Sequence, residues 1–287
     1  MPLAYTQNTE EYNKFAANRF LPALNEPLST FSIDVDNAAY SNVRRFINQG
    51  TFPPVDAIRT EEFLNYFTYN YPAPQGKDPV SITTEVSNAP WNTQHKLVHI
   101  GIKAKEVSTD NLPTSNLVFL IDVSGSMSDA NKLPLLKSSL KLLVKQLRPQ
   151  DRVAIVTYAN HTKEVLASTP GSDKAKILDA IDGLYASGGT AGGDGIQRAY
   201  RVAESNFTKG GNNRIILATD GDFNIGISSP RELEKMIETK RTSGIYLTVL
   251  GFGMGNYKDN RMQVLAEKGN GNHAYIDNLT EAKKVLV

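Results

Sequence analysis

The sequence of 287 residues contains no cysteine, which excludes disulfide bonds, thiolate metal ligands and a cysteine nucleophile. It also lacks an excess of one charge, because 31 basic and 30 acidic residues give a formal net charge of +1. This balance removes the usual electrostatic argument for binding nucleic acid or an anionic membrane surface. No apolar run approaches the roughly 20 residues that a membrane-spanning helix needs, so we expect no membrane span in this chain.

From residue 116 onward, the sequence alternates between strand and helix patterns. The runs 117–121 and 215–219, which are apolar except for Thr219, each predict a strand that is buried on both faces, and amphipathic segments between such runs predict helices. Residues 161–169 predict an antiparallel strand at the edge of the sheet. This series predicts an α/β fold, with a doubly wound, mostly parallel sheet and helices on both faces.

The region before residue 111 has a different pattern. Residues 1–30 are polar, contain three prolines and predict an arm without chemistry of its own. Residues 31–110 predict an accessory region that begins with a helical unit and continues into a β-hairpin, within which the single tryptophan, Trp91, is expected to pack against a neighbour. We therefore divide the chain into this arm, this accessory region and an α/β domain over residues 111–287.

A polar turn follows the first buried strand of the α/β domain. Asp122 ends that strand, and Ser124 and Ser126 recur at every second position, so an extended loop is expected to direct one carboxylate and two hydroxyls at a common point. Oxygen ligands of this kind suit a hard divalent cation, and Mg²⁺ in particular binds few carboxylates and retains several waters. Aspartate and serine are also ordinary turn and capping residues, so these three residues alone leave a purely structural role open.

Two further loops are predicted to lie beside this turn. Asp220 directly follows the strand 215–219, and Thr190 lies in a glycine-rich loop that precedes a predicted helix. The carboxyl ends of parallel strands meet at one edge of a sheet, and ligands of α/β proteins bind at that edge. We therefore expect Asp220 and Thr190 to approach the turn that follows Asp122.

The combination Asp-x-Ser-x-Ser, a threonine in a glycine-rich loop and Thr-Asp-Gly at a strand end resembles the metal-ion-dependent adhesion site of von Willebrand factor type A domains. Over nearly its whole length, the chain also looks like the bacterial YfbK-like proteins, in which a conserved N-terminal region precedes the type A domain. The segments that carry this second resemblance include STFSIDVDNAAYSNVRRFI (29–47), NAPWN (88–92), NLVFLIDVSGSM (116–127), GGTAGGDGI (188–196) and ILATDGDFN (216–224).

The resemblance implies a Rossmann-like type A fold, a binding role rather than catalysis, and a protein partner that offers an acidic residue to an open coordination position. Mg²⁺ is the expected cation, with Ca²⁺ and Mn²⁺ as alternatives. Members of the YfbK-like group are commonly exported lipoproteins, which implies a cell-envelope location and a lipid anchor on the full-length protein. The ligands that the resemblance implies are Asp122, Ser124, Ser126, Thr190 and Asp220.

Other interpretations of the sequence remain open at this stage. Asp34 and Asp36 end a predicted strand over residues 31–36, in the manner of haloacid-dehalogenase-like phosphatases, so a metal-dependent phosphatase-like hydrolase is one alternative to a binding module. A scaffold whose type A domain has a vestigial metal site is another. Asp194 and Asp222 add acidic groups near the predicted site, either as supporting residues or as solvated side chains.

Overall fold

The computed structural model describes residues 8–14, 16, 18–30, 33, 35–108, 112–190, 192–221 and 230–287. Contacts divide the chain into two compact units: residues 67–113 form one, and the described residues of 1–66 and 114–287 form the other. Among the described residues, no helix combines the length and apolar character that crossing a bilayer requires. Of the strand predicted over residues 31–36, residues 31, 32 and 34 lie outside the described residues.

The helices are α1 Ala38–Asn48, α2 Thr60–Asn65, α3 Leu133–Gln146, α4 Lys174–Asp182, α5 Gly192–Ser205, α6 Pro230–Arg241, α7 Asp259–Lys268 and α8 Leu279–Leu286. The strands are β1 Val80–Asn88, β2 Lys96–Ala104, β3 Ser115–Asp122, β4 Arg152–Tyr158, β5 Thr162–Pro170, β6 Asn212–Thr219, β7 Ile245–Phe252 and β8 His273–Ile276. Short 3₁₀ turns lie at Val55–Ala57 and Gly125–Ser128.

In the larger unit, the described strands form a six-stranded sheet in the order β5-β4-β3-β6-β7-β8. All of its neighbouring pairs are parallel except β4 and β5, which pair antiparallel at one edge. The predicted α/β fold with a mostly parallel sheet is therefore confirmed. The strand order reverses between β3 and β6, because β4 follows β3 on one side and β7 follows β6 on the other. Ligand crevices of doubly wound sheets form at such a reversal.

Strand β3 shows why the sheet is buried on both faces. Its alternate residues Leu117, Phe119 and Ile121 pack into a core formed with α3, α4 and α8. The residues between them, Val118 and Leu120, pack into a second core with α5, α6 and α7. A strand with cores on both sides needs a continuous apolar sequence, which is the pattern that predicted it.

Helix α1 packs beside the edge strand β8 of the same unit. The Ser41 hydroxyl donates to the Tyr275 carbonyl at 2.7 Å, and the Arg44 guanidinium pairs with both Asp277 and Glu281. The backbone N–H of His273 donates to Asp36 just before the helix, at 3.0 Å. These contacts cover the edge that β8 would otherwise expose, and uncovered strand edges invite pairing with other chains.

The smaller unit is built around the predicted β-hairpin. Strands β1 and β2 pair antiparallel in unbroken register from Val80 opposite Ala104 to Asn88 opposite Lys96. The Tyr71 ring packs on Gly101, where an added Cβ would lie 2.6 Å from the ring. Trp91 is 73 % exposed, so the expectation that it packs against a neighbour is wrong. The register needs only the alternating strand sequences and the turn, so an anchoring tryptophan is not required for it.

A buried ionic network joins α2 to α7 in the larger unit. Arg59 donates to Glu62 and, through Nη1, to Asp259 Oδ2 at 2.6 Å, and all three side chains are at most 9 % exposed. The second carboxylate oxygen of Glu62, Oε2, accepts a hydrogen bond from the backbone N–H of Ala39, at the start of α1, at 2.7 Å. One guanidinium therefore compensates two carboxylates that hold three helices together.

Substitution of Arg59 by methionine is expected to destabilise the fold strongly, because it leaves the carboxylates of Glu62 and Asp259 buried without their cation. We expect the free energy of unfolding to fall by about 3–5 kcal/mol, measured by urea denaturation at neutral pH. Lys141→Met is the matched control, since it removes a lysine from a surface pair with Asp182 and is expected to cost at most about 1 kcal/mol. Equal losses in the two variants would contradict the prediction.

Candidate metal centre

Strand β3 ends at Asp122, whose carboxylate is completely buried. The backbone N–H of Ser124 donates to Oδ1 at 2.9 Å, and the hydroxyls of Tyr158 and Thr219 donate to Oδ2 at 3.2 and 3.1 Å. Tyr158 and Thr219 stand at the ends of β4 and β6, so three neighbouring strand ends converge on one carboxylate. Burial raises the pKa of Asp122 to about 6, even though these hydrogen bonds act in the opposite direction.

The turn after Asp122 is tighter than the sequence predicts. Ser124 is extended, with φ −61° and ψ 161°, but Gly125–Ser128 forms a 3₁₀ turn, so the expectation of an extended loop through Ser126 is wrong. The turn buries Met127 completely in the core, whereas an extended loop leaving the sheet would expose it. The hydroxyl oxygens of Ser124 and Ser126 still converge, at 3.1 Å from each other.

The glycine-rich loop before α5 is attached to this turn. The backbone N–H of Gly125 donates to the carbonyl of Gly188 at 2.9 Å. Gly188 has a φ of 79°, and an added Cβ there would lie 2.6 Å from the side-chain amide of Asn160, so both the conformation and the close approach favour glycine. Thr190 lies two residues further on and is half-buried. The backbone contact therefore places the predicted threonine loop beside the serine turn.

Asp220 directly follows β6 and is also completely buried. Its Oδ2 accepts from the Lys132 ammonium at 2.9 Å and from the Asn256 side-chain amide at 2.9 Å, and its carboxylate is hydrogen-bonded to Ser126. Burial alone would raise the pKa of this carboxyl group, but the charge of Lys132 and the hydrogen bonds hold it below its ordinary value. The two buried aspartates are thus stabilised by different means.

Contacts link four of the five predicted ligand residues. Ser124 contacts Asp122 and Ser126, and Ser126 contacts Asp220. Thr190 lies in the adjoining loop. The described residues contain no group of three or more histidine, aspartate or glutamate side chains placed to hold a metal. Two carboxylates with several neutral hydroxyls form an oxygen-only donor set, which in its chemistry fits a hard divalent cation that retains water.

Of the other acidic residues considered from the sequence, the structure describes Asp36 and Asp194. Asp36 accepts a hydrogen bond from the backbone N–H of His273, at the start of β8. This position is at the end of the sheet where the parallel strands begin, whereas Asp122 and Asp220 lie where β3 and β6 end. Asp194 is exposed. Asp34 and Asp222 lie outside the described residues.

Two residues that contact Asp220 were not predicted from the sequence: Lys132, just before α3, and Asn256, in the loop 253–258 after β7. Lys132 also donates to the side-chain oxygen Oδ1 of Asn256 at 3.0 Å, so the lysine, the amide and the carboxylate contact one another. No local pattern distinguishes this lysine from the others in the chain, because its environment is set by loops that are distant in sequence.

The outer side of loop 253–258 contacts the N-terminal arm. Thr9 N–H donates to the Gly255 carbonyl at 2.7 Å, and the Gly255 N–H donates back to the Glu10 carboxylate at 2.7 Å. Glu10 also forms a bidentate pair with Arg45 of α1, with N–O distances of 2.8 and 2.9 Å. The loop that supplies Asn256 is therefore held from outside by the arm and from inside by Asp220.

Two family models match the sequence, "von Willebrand factor" over residues 6–99 and "von Willebrand factor type A domain" over residues 116–285. The second model alone spans more than half of the chain. The chain therefore belongs to the von Willebrand factor type A domain family, in agreement with its sheet and with the position of the site.

Among curated proteins, the chain is 50 % identical over 285 residues to the uncharacterised protein YfbK of Escherichia coli (strain K12), a match that covers 97 % of this chain and 50 % of that protein. The chain thus spans about half the length of this relative. Among solved structures, a von Willebrand factor type A protein from Catenulispora acidiphila shares the fold, with a TM-score of 0.51, 21 % identity and coverage of 67 % of this chain and 43 % of that one.

A second solved structure is described as having a zinc-occupied MIDAS motif, the metal-ion-dependent adhesion site. It is proximal thread matrix protein 1 from the mussel byssus. Its TM-score to this chain is 0.50 at 25 % identity, and the match covers 61 % of this chain and 44 % of that protein. A protein with this fold therefore holds a divalent metal at such a motif.

Glu10→Gln is expected to weaken the attachment of the arm. Burial opposes ionisation of Glu10, but the hydrogen bonds and charge of Arg45 hold its pKa below the ordinary 4.5. Because the pKa of Glu10 is lower in the folded state, ionised Glu10 stabilises the fold above pH 4.5. This stabilisation is lost as the pH falls through the folded-state pKa. We expect Glu10→Gln to lower the free energy of unfolding by about 1.5–3 kcal/mol at pH 7, as measured by urea denaturation. Below pH 4.5, the difference between the variant and the parent is expected to shrink.

Glu11→Gln provides the control for this substitution. Glu11 pairs with Lys258 at 2.8 Å, but its side chain is 44 % exposed, whereas that of Glu10 is 3 % exposed. Glu11→Gln is therefore expected to change the free energy of unfolding by at most about 1 kcal/mol. A loss in Glu10→Gln that did not depend on pH would refute the ionic origin of the attachment.

Proposed function

We propose that this chain is a divalent-cation-dependent protein-binding module, in which Asp122, Ser124, Ser126, Thr190 and Asp220 hold the cation. The observation that carries the proposal is the convergence of two buried carboxylates and two serine hydroxyls where the strand order reverses. Membership of the type A domain family supports it, because such domains commonly bind partners through a cation at this position. The zinc-occupied MIDAS motif of the mussel protein gives further support.

The bound cation would supply a positive centre for a partner's carboxylate. Serine and threonine hydroxyls are neutral, so they satisfy coordination positions without cancelling the charge of the cation. An aspartate or glutamate side chain of a protein partner is the group that such a centre attracts. Mg²⁺ is our preferred cation, since the site offers few carboxylates; Ca²⁺ and Mn²⁺ are alternatives.

We propose a binding role rather than catalysis, in keeping with membership of the type A domain family, whose members are typically interaction modules. We further propose that the full-length protein resides in the cell envelope with a lipid anchor. This proposal rests on the resemblance to exported YfbK-like lipoproteins. Fractionation of cells expressing the full-length protein tests it, and recovery in the cytosolic fraction alone would refute it.

The cation site is tested by titrating Mg²⁺ and Mn²⁺ calorimetrically into chelator-treated protein. The parent is expected to bind, and Ser124→Ala/Ser126→Ala is expected to lose binding because two hydroxyl ligands are removed. At a free cation concentration of 100 times Kd, the parent should gain about 2.7 kcal/mol in the free energy of unfolding. The double variant should gain nothing.

Ser128→Ala/Ser138→Ala is the matched control, because both of these serines are exposed and neither is a proposed ligand. It is expected to bind as the parent does. Absence of binding in the parent would favour a scaffold with a vestigial site. Equal binding by the parent and by Ser124→Ala/Ser126→Ala would place the cation elsewhere.

A further inference from the structure

Lys132 is a cation buried inside the candidate metal centre. Its ammonium donates to Asp220 Oδ2 at 2.9 Å and to Asn256 Oδ1 at 3.0 Å, and its side chain is only 5 % exposed. Lysine is almost never buried to this extent without a specific partner. Its backbone is held as well, because Leu136 N–H in the first turn of α3 donates to the Lys132 carbonyl at 2.8 Å.

The loop after β7 accommodates this lysine in two ways. Gly253 has a φ of 79°, and an added Cβ would lie 2.3 Å from Lys132 Cε, so the aliphatic stem occupies the space that a side chain at position 253 would need. Three residues later, Asn256 accepts from the ammonium and donates to Asp220. The lysine is therefore enclosed by a backbone that leaves room for its stem and by an amide that fixes its head.

Lys132 changes the charge of the site that a divalent cation would enter. Two ionised aspartates and one ammonium give the site a net charge of −1, whereas the aspartates without the lysine give −2. With a divalent cation in place, the site would carry +1 with the lysine and no net charge without it. The lysine thus opposes the entry of the metal and favours the approach of an anion afterwards.

We propose that Lys132 is a resident counter-cation that weakens divalent-cation binding at this site and makes the loaded site attractive to a carboxylate. This inference rests on the function proposed above, in which the same aspartates hold the cation. Lys132 contacts Asp220, not the position that the partner's carboxylate would occupy. It is therefore a positioning residue that acts through the charge of Asp220. The ligand class that this arrangement favours is a carboxylate of an acidic protein side chain.

The test compares chelator-treated parent and Lys132→Met by calorimetric titration with Mn²⁺. Removal of the ammonium is expected to lower the Kd for Mn²⁺ by about tenfold or more, because a positive charge next to the metal position is lost. Acetate, as a carboxylate probe, is then titrated into the two Mn²⁺-loaded proteins and followed by water-proton relaxation. Acetate is expected to bind Lys132→Met more weakly than the parent.

Lys141→Met is the control, because it removes the same charge from an exposed pair with Asp182; it should match the parent in both titrations. Circular dichroism verifies that each variant is folded. If Lys132→Met does not fold, Lys132→Gln replaces it in both titrations. If the parent binds Mn²⁺ and the Lys132 variants bind it no more tightly, the proposed role of Lys132 is overturned, but the proposed cation site is not. No Mn²⁺ binding by the parent or any variant overturns the cation site, and the role of Lys132 with it.

Discussion

The burial of two carboxylates at adjacent strand ends is the constraint on which this end of the molecule depends. Asp122 and Asp220 are both completely inaccessible to solvent, and a buried carboxylate is costly unless it is paired or hydrogen-bonded. Asp122 is stabilised by neutral donors alone, from Ser124, Tyr158 and Thr219. Asp220 has a lysine and an amide. Burial raises the pKa of Asp122 despite these donors, whereas the charge of Lys132 and the hydrogen bonds hold the pKa of Asp220 below its ordinary value.

The sheet explains why these two carboxylates meet at all. Strands β3 and β6 are parallel neighbours, so they end at the same edge, and the chain leaves them in opposite directions across the sheet. Ligand crevices of doubly wound sheets form at such a reversal. At this point the serine turn after β3 contacts the glycine-rich loop through the hydrogen bond from Gly125 to Gly188.

The N-terminal residues contribute to the same end of the larger unit. The arm contacts loop 253–258 through Thr9 and Glu10, and Glu10 is in turn held by Arg45 of α1. The loop carries Asn256, which contacts both Asp220 and Lys132. Residues near the start of the chain are thus connected to the candidate metal centre by a short series of hydrogen bonds. The N-terminal family match, over residues 6–99, begins within this arm.

The sequence by itself determined the strands and the location of the candidate site. Continuous apolar runs predict strands buried on both faces, and a polar residue after such a run ends the strand, so Asp122 and Asp220 could be assigned to strand ends. Parallel pairing then brings those ends to one edge. Local periodicity was insufficient for the turn after Ser124, because burial of Met127 favours a 3₁₀ turn over an extended loop.

Only the tertiary structure decided which residues surround the two carboxylates. Lys132 lies 88 residues from Asp220 in sequence, Asn256 lies 36 residues from it, and Glu10 lies 245 residues from Gly255. Helix and strand patterns depend on neighbours within a few residues, whereas these partners depend on which loops the packed sheet brings together. A lysine in the sequence carries no sign of whether it will be solvated or enclosed beside an aspartate. That distinction arises when α3 and the loop after β7 pack around the same strand end.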